Sequence, residues 1–115
     1  MNKRNLLIFA VIVSFIIILS APVILYINKG KDIEEKAKRI CIDACKNALK
    51  SGIDTFKSPC LLNPIEQMPD WVCDVAHNPR EDIDNLPENQ CSLFLEGKAK
   101  HFVEVSPSCE IIRVH

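Results

Sequence analysis

The sequence predicts an α+β protein in two parts, an N-terminal transmembrane helix and a small disulfide-stapled domain. Three observations carry this. Residues Leu6–Ile27 hold no ionisable side chain, all six cysteines lie beyond that run, and the apolar period then changes from helical to strand-like. The expected domains are residues 1–28, a signal anchor, and residues 29–115, a cysteine-rich extracytoplasmic domain. The second should contain one long amphipathic helix, a Pro-rich loop with a short helix, and a three-stranded antiparallel meander.

The run Leu6–Ile27, LLIFAVIVSFIIILSAPVILYI, has Ser14, Ser20 and the Tyr26 hydroxyl as its only side-chain polar groups. As a helix it measures roughly 33 Å, enough to cross the hydrocarbon core of a bilayer. Lys3 and Arg4 precede it, and Lys29 and Lys31 follow at headgroup level. A cleaved signal would have a shorter apolar core and small residues at its cut site. Leu19-Ser20-Ala21 puts a large Leu there, Pro22 follows directly, and the apolar run then resumes. An uncleaved anchor with the bilayer as its partner is the expectation. Pro22 removes one helix hydrogen bond and should kink the last turn and a half. A count of flanking positive charge favours keeping the C-terminal side inside. The even cysteine set in a small domain favours the outside, and the cysteines decide for a cytoplasmic N-terminus.

Charge divides the remainder. Lys29–Lys57 carries eight basic and five acidic residues, whereas Ser58–His115 carries four basic and ten acidic. The basic half adjoins the membrane and its anionic headgroups, and the acidic excess argues against a nucleic-acid partner.

Asp32–Leu49 reads as the amphipathic helix. Asp32 and Glu35 form a capping-box-like start, Ile33, Ala37, Ile40, Cys41, Ala44, Cys45, Ala48 and Leu49 make one face, and Gly52 ends it. Five prolines then break up the stretch from Ser58 to Pro87. A short helix is expected over Asp70–His77, with Trp71 in the core, and an ordered acidic surface loop over Glu81–Asn89. Cys91–Leu95, Lys100–Val105 and Cys109–Val114 read as the strands of the meander. Phe102 with Glu104, and Val103 with Val105, fall on opposite faces, one expected to pack the long helix and the other to be partly wet.

Cys41, Cys45, Cys60, Cys73, Cys91 and Cys109 allow fifteen pairings. Cys41 and Cys45 lie one helical turn apart and suit bonds outward to other elements, so two bridges should leave the helix. Cys91 and Cys109 are the expected partners, with Cys60–Cys73 closing the Pro-rich loop. No cofactor and no catalytic residue is expected. The rival reading is a metal site using Cys73, His77 and His101, as a membrane-tethered metal-binding or thiol-dependent enzyme or a cytosol-facing zinc domain. The paired spacings of common zinc sites are absent from the sequence. His77 beside Asp74 and His101 beside Glu104 could be drawn as acid–base pairs. Asp82, Asp84, Asn85 and Glu88 supply oxygens without the twelve-residue loop of a calcium site, and a solvated loop accounts for them.

The run Trp71–Arg80, then Asp84–Cys91, Gly97–Val105 and Cys109, resembles a set of small uncharacterised archaeal proteins with one N-terminal membrane segment. The resemblance covers residues 41–113 and implies an anchored ectodomain, with no activity attached. Together these readings imply a single-pass protein whose disulfide-bonded domain binds a ligand or scaffolds a protein partner outside the cytoplasm.

Overall fold

Helix α1 runs from Lys3 to Lys50 in the computed structural model, which describes all 115 residues. It includes Pro22 and both segments that the sequence reading separates. Asp32 is therefore not a cap. The stretch Asn28-Lys29-Gly30-Lys31 contains one poor helix former, Gly30, whose cost of about 1 kcal/mol is too small to end a helix. The chain divides into two compact units, Met1–Ile33 and Glu34–His115. In the first, the apolar side chains are exposed on every face of the helix, and the helix is long and apolar enough to cross a membrane.

The second unit begins with the amphipathic end of α1. Ala37, Cys41, Cys45 and Ala48 are its buried stripe. Gly52 ends the helix at φ +78°, where the Ile53 amide donates to the Ala48 carbonyl and the Gly52 amide to that of Leu49. That pattern is a Schellman termination, which needs a left-handed residue at this position. Strands β1 (Cys60–Leu62), β2 (Trp71–Val75), β3 (His101–Val105) and β4 (Ile111–Val114) form one sheet in the order β1-β2-β3-β4. The outer pairs are antiparallel and β2–β3 is parallel. The four-stranded mixed sheet replaces the expected three-stranded antiparallel meander.

Three local misreadings account for the difference. Cys60–Leu62, read as part of the Pro-rich loop, forms the edge strand β1. Asp70–His77 supplies strand β2, not a short helix. Trp71, Val72 and Val75 are strand formers, and Trp71, Cys73 and Val75 turn to one core while Val72 turns to another. Asp70 does not cap: its carboxylate accepts from the Lys100 amide at 2.9 Å, and its carbonyl from the Lys100 and His101 amides. Conversely, Cys91–Leu95 is not a strand. Ser92–Leu95 forms a single helical turn, α2, closed by Gly97 at φ +71°. The β2–β3 connection runs through two 3-10 turns, Asp82–Asn85 and Pro87–Asn89, and through α2, a crossover of the length that parallel strands require.

All six cysteines are paired, as Cys41–Cys73, Cys45–Cys109 and Cys60–Cys91. Two bridges leave the helix, as its side-chain directions require, and Cys109 is one partner. Cys73 takes the place expected for Cys91, because Cys73 lies on a strand that faces α1 while Cys91 sits on the sheet's other side against Cys60. The main core packs α1 on one face of the sheet, with Ile65, Trp71, Val103 and Val105 buried. A smaller core of Val72, Cys91 and Ala99 lies under α2 on the opposite face, with Phe94 and Phe102 against it.

Candidate functional site

The strand registers align one row of side chains across the sheet face that looks away from α1. Cys60 pairs with Asp74, Asp74 with Glu104, and Glu104 with Arg113. Two acids are thus direct neighbours on parallel strands, an unfavourable pairing if both carry charge. Glu104 is 5 % exposed and is neutralised twice, by Arg80 Nη1 at 3.0 Å and by Arg113 Nη2 at 3.5 Å. Arg80 is held in place by Nε donating to Asn85 Oδ1 at 2.8 Å and by Nη2 donating to the Asp84 carbonyl at 3.2 Å. Asp74 receives no such partner, and its buried Oδ1 has no hydrogen bond at all. Burial, then the Glu104 charge, pushes its carboxyl up to about 8, so near neutral pH it carries a proton.

Asp74 and Glu104 line a pocket of about 100 Å³ together with Arg80, Arg113, Gln90 and an apolar set that includes Val72, Phe94, Leu95 and Phe102. Phe94 meets Phe102 edge-on at 4.9 Å, and the Arg113 guanidinium lies 4.9 Å from the Phe102 ring centre. Apolar walls with a few convergent polar groups and a displaced pKa are the usual signature of a small-molecule site. Two larger hollows, of about 390 and 360 Å³, lie beside His77 and Pro107 and along Ile40–Asn47 of α1. Neither contains an unpartnered buried polar atom.

No protein-family model, no curated protein and no solved structure matches this chain.

A second polar cluster brings Ser58, His77 and Asp84 together. His77 Nδ1 lies 2.9 Å from Asp84 Oδ1 and 3.2 Å from Ser58 Oγ, and the Ser58 hydroxyl also bonds Asp84 Oδ1. The residue types suggest a nucleophile relay, but the geometry is different. In a relay the histidine uses separate nitrogens for the acid and the hydroxyl. Here one nitrogen meets both, Ser58 reaches the acid directly, and Ser58 is 1 % exposed. Asp84 instead collects amide protons from His77 at 3.0 Å and Glu81 at 2.8 Å. Burial would raise its carboxyl, but the Glu81 amide, Ser58 hydroxyl and His77 ring and amide outweigh that and hold it well below the usual range. The cluster knots the Glu81–Asn85 turn onto the sheet.

The residues of the rival metal reading are not gathered. Cys73 is bonded to Cys41, His77 belongs to the Asp84 cluster, and His101 stacks on Trp71 with ring centres 4.7 Å apart. No group of three or more His, Cys, Asp or Glu side chains is arranged to hold a metal ion. The acid–base pairs drawn along the sequence also change partners. His77 meets Asp84 in place of Asp74, and His101 faces Asp70 at 3.6 Å in place of Glu104. Asp84, read from sequence as part of a solvated loop, is 2 % exposed.

Sequence reasoning missed the Asp74–Glu104–Arg113 row and Arg80. A signal existed: Val72-Cys73-Asp74-Val75 and Phe102-Val103-Glu104-Val105 each place an acid inside an apolar strand-like run. Charges in such runs need partners and are costly without them.

Proposed function

We propose that the chain is a single-pass membrane protein, anchored through residues 6–27, whose 29–115 domain stands outside the cytoplasm as a binding domain with its site at the Asp74 pocket. The pairing of all six cysteines beyond a long apolar helix is the observation that carries this, since disulfides persist in oxidising compartments. A protein partner is the other occupant that such a domain could serve. A pocket of about 100 Å³ favours a small ligand, being below the roughly 150 Å³ of an engineered cavity that holds benzene.

The test uses the full chain in its membrane. Alkylation without reductant should leave every cysteine unmodified, with an intact mass lower by six hydrogens than after reduction. Protease added outside intact cells should remove the 29–115 domain. Six alkylated thiols with bound zinc, or a domain protected until the membrane is opened, would reverse the orientation and return the reading to a cytosol-facing domain.

A further inference from the structure

We propose that the pocket on the sheet face away from α1 binds a short-chain monocarboxylate, its carboxylate held between the Arg113 guanidinium and the Asp74 carboxyl and its alkyl part against Phe94 and Phe102. This rests on the binding-domain reading above and specifies its ligand.

Charge comes first. Glu104 supplies one negative charge to the pocket, Arg80 and Arg113 supply two positive ones, and a protonated Asp74 supplies none. One positive charge is left over, so an anion fits and a cation does not. Free hydrogen-bonding capacity comes next. The Arg80 donors go to Asn85, Glu104 and the Asp84 carbonyl. Arg113 lies over the Phe102 ring and makes one ion-pair contact, to Glu104 at 3.5 Å, and its side chain is 58 % exposed, which leaves guanidinium protons for a ligand. Asp74 offers the second group: its buried Oδ1 is unpartnered, and its carboxyl proton is available to an acceptor. A carboxylate has two acceptor oxygens and can take one donor on each. The remaining wall is aromatic and aliphatic, and the pocket volume of about 100 Å³ limits the tail to a few carbons.

Proton linkage follows. The charged groups around Asp74 are Glu104, Arg80 and Asp84, with Arg113 across the pocket. When Asp74 ionises, the excess positive charge and one donor disappear together. The ligand should therefore bind protonated Asp74, and affinity should fall as pH rises past about 8.

Sodium butyrate, titrated by calorimetry into the oxidised full chain in detergent, tests this, with butyramide and n-butylamine as uncharged and cationic controls. Butyrate should bind at about pH 6, on the order of tenfold more weakly at about pH 9.5, and butyramide on the order of tenfold more weakly than butyrate. Arg113→Gln changes an exposed side chain and should lower butyrate affinity about tenfold. Asp74→Asn keeps a neutral donor and should flatten the pH profile while retaining butyrate. Intact mass after alkylation confirms that each variant keeps its three disulfides. Butylamine binding that Asp74→Asn abolishes would overturn the carboxylate while keeping the pocket as a site. Butyrate binding indifferent to both substitutions, or no binding by any of the three probes, would overturn the pocket itself.

Discussion

An ionised Asp74 would lie in register with Glu104 on the next strand, with one buried oxygen unpartnered. The fold avoids this by keeping the proton. The folded molecule holds it up to about pH 8, whereas an unfolded chain releases it near the ordinary value of 3.8. Between these values the folded state binds the extra proton, so stability falls as pH rises, by up to roughly 1.4 kcal/mol per pH unit. Asp84 has the opposite sign: its lowered value favours folding at neutral pH, a contribution lost as pH falls below 3.8. Thermal unfolding of Asp74→Asn should accordingly show a higher midpoint than the parent at alkaline pH and a much flatter profile from about pH 5 to about pH 8.5. An unchanged profile would mean that another group carries the slope. The sequence shows each acid inside an apolar run, but not that the two meet. Asp74 and Glu104 are 30 positions apart, and only the parallel register makes them neighbours.

Elements were legible wherever local chemistry agrees with the final packing. The buried stripe of α1 repeats at helical spacing, Gly52 ends it, and β4 alternates in exposure as strands do. Trp71–Val75 deceived because five residues with an acid before them and Asn-Pro after them also satisfy helix start and stop signals. Pairing with β3 decided between the two. Cys91–Leu95 deceived in the other direction, its apolar residues packing as a helical turn over the second core. The attachment of α1 to the sheet depends on Cys41–Cys73 and Cys45–Cys109, which close separations of 32 and 64 residues. Replacing Cys45 and Cys109 together by Ala should cost about 4 kcal/mol on the chain-entropy model, slightly more than removing the shorter Cys41–Cys73 link. Denaturant unfolding of the two double variants measures the order. A smaller loss for the longer link would show that packing, not loop closure, holds the helix.

At the scale of the whole molecule, the unit Glu34–His115 is small for a purely hydrophobic core, and three covalent links supplement it. The sequence revealed that such links exist and that two leave the helix. It could not reveal which later cysteine meets which, because that depends on the sheet face each strand presents. Each link joins residues more than 30 positions apart, and none joins cysteines that are consecutive along the chain. An oxidant that coupled thiols in the order of synthesis would form 41–45, 60–73 and 91–109, with no native pair among them. Maturation then demands a shuffling catalyst or a delay in oxidation until Cys109 has been made. Reduced, unfolded chain oxidised rapidly without a thiol buffer should accumulate scrambled isomers, and a glutathione buffer should convert them to a single species on peptide mapping.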